Sequence, residues 1–286
     1  MGKLATSWDL VKTSFSILRS DKELVLLPLT SAFLSFLALA TLFGGYFAMY
    51  WPEVRAAHAA GTQWQFSHSS SLYALIFVFY VVNYFIVIFC NVALAGVANS
   101  RMCGGTWTMR DGLALAWARK FTIFKWAVFA ATVGMILRWI SERVGILGKI
   151  VVGLVGLAWA LTVYFIVPVL AFEDLDPVDA LKRSAQLFRK TWGENVVAGI
   201  SFSFIFTIAL FAGIAVLFAA FSILPATLAS FITAAILFCV YVLMLFAISS
   251  ATTSIFNVAL YRYAMTGKPQ GGFSEDQFKS AWVPKT

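Results

Sequence analysis

The 286-residue chain is 61% hydrophobic and 16% aromatic, and only 12% of it is charged, about half the share of an ordinary soluble domain. Lys and Arg outnumber Asp and Glu by 21 to 13, giving a net charge of +8. Each membrane crossing consumes roughly 20 apolar residues. A chain with six such runs leaves no room for a folded soluble domain, and its basic excess is an orientation and lipid-headgroup signal, not a sign of nucleic-acid binding.

Trp8, Val11, Phe15 and Leu18 recur at helical spacing and predict a short amphipathic helix. The first apolar run starts near Leu24 and has no small-residue cleavage site, so it reads as a retained span over 24–50, not a signal peptide. The loop that follows holds Glu53, His58 and His68, a weak pattern for a metal ion, and Trp64 as an interface anchor. The second span, 72–99, carries Asn83, Asn91 and Asn99. Amides in lipid need partners, and hydrogen bonds between helices supply them.

A second amphipathic segment starts near Asp111, with Leu113, Trp117 and Phe121 on one stripe. The third span, 121–142, is charge-free only from Trp126 to Leu137, so Lys125 and Arg138 must reach opposite interfaces. The fourth, 148–172, includes Gly153 and Gly156, small residues of the kind that let helices approach closely. Glu173, Asp174 and Asp176 follow. They fit helix capping and salt bridges to Lys182 or Arg183, since no histidine or nucleophile accompanies them. Asp176 as N-cap, Pro177 at the first helical position and Asp179 three residues after the cap open a third amphipathic helix, with Val178, Leu181, Ala185 and Phe188 as its apolar stripe.

From Asn195 to Tyr261 the chain has no formal charge. Spans five and six occupy 195–222 and 226–262, joined by a tight turn at Leu224-Pro225. Span six would exceed ~50 Å at 1.5 Å per residue, so it must tilt, kink near Ser249–Ser254 or project from the bilayer. Its polar run, Ser249 to Asn257, can bond back to its own helix or line a water-filled cavity.

The chain looks internally repeated. Lys12, Ser14 and Arg19 return 170 residues later as Lys182, Ser184 and Arg189, and Asn91-Val92-Ala93-Leu94 returns as Asn257-Val258-Ala259-Leu260. The expected architecture is one all-α transmembrane domain over 1–286. Six transmembrane helices form three hairpins, each preceded by an amphipathic cytoplasmic helix lying at the interface. The repeat units cover about 5–100, 108–172 and 176–263, with a flexible cytoplasmic tail at 264–286. All of the basic residues except Arg55, Arg138, Arg143 and Lys149 fall on the side of the termini, so the positive-inside rule puts both termini in the cytoplasm. Cys90, Cys103 and Cys239 have neither disulfide-framework nor metal spacing.

The block Val167-Pro168, Glu173, Asp179 to Ser184, Phe188 and Trp192-Gly193-Glu194-Asn195 resembles a motif of a prokaryotic membrane-protein family catalogued only as a domain of unknown function. That family is distantly similar to the membrane domains attached to some glycerophosphodiester phosphodiesterases. The resemblance implies a six-helix domain in the prokaryotic cytoplasmic (inner) membrane and supplies no catalytic residues.

No nucleotide-binding, serine-hydrolase or zinc-protease motif occurs in the chain, so no enzyme activity and no cofactor or metal are expected. The spans also lack the deep ionisable group that coupled transporters use. Two readings remain. One is a transport-like or channel-like protein for a small neutral or amphiphilic solute or lipid. Its pathway or interhelix polar cluster would comprise Asn83, Asn91, Asn99, Ser250, Ser254 and Asn257. The other is a non-transporting scaffold that organises the membrane or binds partners through its basic interfacial helices. In either case Lys12, Arg19, Arg119, Lys120, Lys182, Arg183, Arg189 and Lys190 are expected on anionic headgroups at the cytoplasmic side. Nucleic acid is not an expected partner, and self-association as a homo-oligomer is left open.

Overall fold

The computed structural model describes residues 12–19, 21–62, 69–223 and 227–273, with the side chains of 69, 192–204 and 223 outside that description. Trp8 and Val11 of the first stripe, Trp64, His68, the side chains of Trp192 to Asn195 and the Leu224-Pro225 turn lie outside the described residues. The described residues are helical throughout, without strands. A short α1 (12–19) and a 3₁₀ turn at Lys22–Val25 lead into α2, Leu26–Ala59. Then follow α3 (Ser69–Met102), α4 (Met109–Ala118), α5 (Lys120–Arg143), α6 (Ile146–Thr162), α7 (Ile166–Phe172), α8 (Pro177–Lys190), α9 (Trp192–Ile223) and α10 (Leu228–Thr266). Among the described residues, six helical stretches are long and apolar enough to cross a membrane: 22–59, 70–102, 120–143, 146–172, 205–222 and 228–266.

Helix α2 runs nine residues past the expected end at Tyr50, through Pro52. Pro52 removes one backbone donor, and the alanines that follow are strong helix formers that carry the helix on. Helix α10 continues unbroken through Ser249–Ser254 for 39 residues, about 58 Å of helix against a hydrocarbon core of ~30 Å. It ends on Gly267 at φ 69, whose amide closes on the Tyr263 carbonyl at 2.8 Å, the left-handed cap that glycine favours. Residues 268–273 pack back on the bundle: Arg262 donates to Gln270 at 3.0 Å, and Phe273 is buried.

The core gathers at one end of the bundle, the end holding most of the basic residues. Its centre is α3 beyond Ile88, α7, and α10 beyond Ala247, with Leu18, Leu24, Leu27, Ile123, Trp126 and Phe188 packed in from the other elements. The two Asn-Val-Ala-Leu quartets sit there in matching environments, with Val92, Ala93 and Leu94 buried like Val258, Ala259 and Leu260. Toward the other end, α6, α9 and the first half of α10 present Leu154, Phe211 and Leu237 outward. Lipid tails are as apolar as these side chains, so their exposure costs nothing in a membrane. Gly153 and Gly156 also face open space, so the expected close approach of another helix at α6 is absent among the described residues.

The buried face of each amphipathic helix takes only part of its apolar stripe: Leu18 of α1 and Phe188 of α8 are buried, one turn on from Ser14 and Ser184. Ser14, Ala116 and Ser184 have no exposed surface, whereas Phe15, Trp117 and Val178 are exposed. Small side chains permit close contact with the bundle: a Cβ on Gly112 would stand 2.5 Å from the Ala93 carbonyl oxygen. Thr108 starts α4 with a capping box, donating its backbone N–H (2.7 Å) and its hydroxyl (2.8 Å) to Asp111. The backbone hydrogen bond from Thr108 is the main reason that the Asp111 carboxyl is held below the usual carboxylate range. A depressed carboxylate stabilises the fold above its unfolded pKa and stops doing so as pH falls through the folded one. Acid should therefore loosen α4 below about pH 4 in the native protein. In Asp111→Asn that acid step should vanish, as read by hydrogen exchange of the α4 amides across pH 3 to 6.

Candidate functional site

Span four is two helices, not one. Pro168 lacks an N–H, and its ring clashes with the carbonyl four residues back, that of Tyr164. The chain accordingly leaves α6 at Thr162 and re-enters helix at Ile166. The break is buried, and its Phe165 N–H is answered by the Ser184 hydroxyl of α8 at 3.0 Å. Serine in a position that would otherwise suit alanine thus has a local reason: it takes the place of the missing carbonyl. Pro168 stood in the sequence as part of a motif, and its ring corrects the single span expected over 148–172 to two helices. Its partner Ser184 carried no signal for the break, because the two lie on different elements.

The broken helix lines a cavity of about 320 Å³ with α3 and α10. Its walls carry Asn91 from α3, Val167 and Pro168 from α7, and Ser250, Ser254 and Asn257 among the residues from α10. On α10 the lining positions recur every three or four residues from Phe246 to Asn257, so a single face supplies them. Thr252 points elsewhere: it is buried and bonds back to the Ile248 carbonyl at 2.6 Å. The amide oxygen of Asn257 is buried with no hydrogen-bond partner among the described residues.

Four of the six residues expected to form a polar cluster therefore meet here: Asn91, Ser250, Ser254 and Asn257. Asn83 and Asn99 do not line it. A spacing of eight residues rotates each asparagine about 80° from the last on a helix of 3.6 residues per turn. The amide oxygen of Asn99 is buried in the core at the basic end, also without a partner. An orphaned buried acceptor costs about 1–3 kcal/mol. Replacing Asn99 with the similarly sized Leu should thus raise the unfolding temperature in detergent by a few degrees. A fall of that size would mean that water or a partner satisfies the amide.

The acids near the end of span four all act as staples. Glu173 receives Arg183 Nε at 3.0 Å and the Tyr261 hydroxyl at 2.9 Å, joining α7, α8 and α10. Asp174 pairs with Arg119 at 2.8 Å and Asp176 with Lys125 at 2.9 Å, holding the loop before α8 against α5. Asp176 does sit at the N-cap, but its carboxylate goes to Lys125 and makes no cap hydrogen bond. At the opposite end of α5, Arg138 pairs with Glu142 at 2.9 Å. Near the start of the bundle Arg101 donates twice to Asp21, at 3.0 and 2.9 Å, a pair for which the sequence carried no pattern.

These contacts divide the basic residues expected on headgroups. Arg119 and Arg183 are held by carboxylates, and Lys190 donates to the Ala264 carbonyl. Lys120 lies over the Trp117 ring, 4.4 Å from its centre. Lys182 makes only an exposed pair with Asp179 at 3.1 Å, and Lys12, Arg19 and Arg189 are exposed.

Residues 70–273 match a family described as a family of unknown function (DUF6159). No curated protein matches the chain, and no solved structure does. The distant similarity to phosphodiesterase membrane domains has no counterpart in these comparisons.

Proposed function

The chain belongs to DUF6159, a family of unknown function, and from that premise we propose that it is a transport-like membrane protein. Its solute would be small and neutral or amphiphilic, and would be handled at the cavity between α3, α7 and α10. The observation that carries this reading is the lining itself. Amides and hydroxyls from α3 and α10 face Val167 and Pro168 of α7, just past the break in span four, and the Asn257 oxygen has no partner among the described residues. Non-helical backbone at membrane depth is tolerated where it is buried in protein or lines a cavity, and discontinuous helices form binding sites in many transporters. Among the described residues no acid, base or thiol lines the cavity beside its hydroxyls, which supports a role without covalent chemistry and an uncharged cargo.

The proposed setting is the prokaryotic cytoplasmic membrane, with both termini on the cytoplasmic side where the basic residues collect. The chain would be three units, each a short helix (α1, α4, α8) followed by a pair of spans. The shared burial of Ser14, Ala116 and Ser184 supports that division.

Reconstituted vesicles provide the test. Stopped-flow light scattering with a panel of uncharged solutes (urea, glycerol, erythritol), alongside a fluorescent-lipid flip assay, should reveal at least one cargo that crosses several-fold faster than in protein-free vesicles. Asn257→Leu should remove the gain. Rates equal to protein-free vesicles for every solute and for lipid would defeat the proposal.

A further inference from the structure

A second cavity, of about 640 Å³, opens between α6 and α8, away from the one just described. Its α6 wall is Ala158, Leu161 and Thr162, and its α8 wall includes Lys182, Gln186 and Arg189. The α8 residues stand at i, i+4 and i+7, on one face. Lys182 and Arg189 are two turns apart, about 10.5 Å along the axis, with an amide between them. The only carboxylate in salt-bridge contact with either among the described residues is Asp179, on Lys182. Both members of that pair are more than 60% exposed, and an exposed ion pair is worth about 0–1 kcal/mol, so an incoming anion displaces it at little cost.

The α6 wall continues as an apolar stripe. Leu147, Val151 and Leu154 are at least 59% exposed and lie on the same helical face as Ala158 and Leu161. From Leu147 to Leu161 the stripe runs about 21 Å, more than half of a ~30 Å hydrocarbon core. It leads directly into the basic end of the groove. A ligand that satisfies both halves needs an anionic head and an apolar tail in one molecule. Arginine takes phosphate through two parallel hydrogen bonds, and lysine acts on it as a point charge.

We infer that the groove between α6 and α8 is a binding site for an anionic phospholipid, its phosphate held by Lys182, Gln186 and Arg189 and an acyl chain laid along α6. The site is independent of the α3–α7–α10 cavity and stands whether or not that cavity conducts a solute.

The full-length protein in a neutral detergent is the sample. Native mass spectrometry and thermal shift with phosphatidylglycerol should show retained lipid and a raised unfolding temperature, and phosphatidylcholine should give neither. Lys182→Ala with Arg189→Ala should weaken phosphatidylglycerol binding at least tenfold. Ala158→Trp, which fills the groove but keeps both charges, should do the same. Lys268→Ala, an exposed cation outside the groove, should bind like the wild type. Unchanged phosphatidylglycerol binding in either groove variant would overturn the site. Displacement of the lipid by an equal concentration of glycerol 3-phosphate would overturn the acyl half, because the groove would then be a site for free phosphate esters.

Discussion

Ser184→Ala should lower stability by about 1–3 kcal/mol, the cost of leaving a buried backbone donor unanswered, and the loss should depend on Pro168. The Ser184 hydroxyl accepts from Phe165 N–H inside the break of span four. The break exists because Pro168 has no N–H to donate to the Tyr164 carbonyl and cannot tolerate that carbonyl against its ring. With Pro168→Ala, residues 163–165 can continue the helix, and Phe165 N–H then finds the Leu161 carbonyl. Ser184→Ala in that background should cost only a few tenths of a kcal/mol, giving a coupling of about 1–2 kcal/mol for residues in one network. Additive losses in the double-mutant cycle would mean that the hydroxyl and the proline act separately.

The second large effect concerns the docking of α4. A Cβ at Gly112 would meet the Ala93 carbonyl oxygen at 2.5 Å and the Val97 side chain at 2.7 Å. The first obstacle is backbone and cannot rotate away. Overpacking of this kind costs about 1–3 kcal/mol, while removing a glycine from a helix returns about 1 kcal/mol. The steric term wins. Gly112→Val should lower stability by roughly 3 kcal/mol, since valine adds bulk without the helix propensity of alanine. Gly153 gives the opposite result for the same reason: nothing lies within 4 Å of its would-be Cβ. Gly153→Ala should raise stability by up to about 1 kcal/mol. Denaturation followed by helical circular dichroism in detergent reads both, and a Gly112→Val protein as stable as the wild type would refute the close packing of α4 on α3.

The spans were legible because charge is so costly in lipid that its absence alone draws their outlines. Two of the polar positions were legible as a pair because an Asn-Val-Ala-Leu quartet occurs twice, and the structure brings Asn91 and Asn257 to one cavity. The buried face of the amphipathic helices was legible only in part. The expected stripes include the buried Leu18 and Phe188 but also the exposed Phe15, Trp117 and Val178, and they leave out Ser14, Ala116 and Ser184, which are buried and whose value lies in small volume. The partners of Glu173 were half visible: Arg183 follows ten residues on in the same segment, but Tyr261 arrives from a distant helix. The break at 163–165 needed both the proline and a hydroxyl from another element, and only the first can be read from a single segment.

The central claim is that the cavity between α3, α7 and α10 is a wet, polar compartment that a solute can enter. The most direct measurement is thiol accessibility. On a background with Cys90, Cys103 and Cys239 replaced by Ala, single cysteines at Ser250, Ser254 and Asn257 are labelled with a hydrophilic methanethiosulfonate reagent in sealed vesicles. The same is done at Thr252, which is buried and bonded within its own helix. The account predicts rapid labelling at the three cavity positions and none at Thr252. Protection of all four would contradict it, because the amides and hydroxyls would then be sealed in a dry bundle.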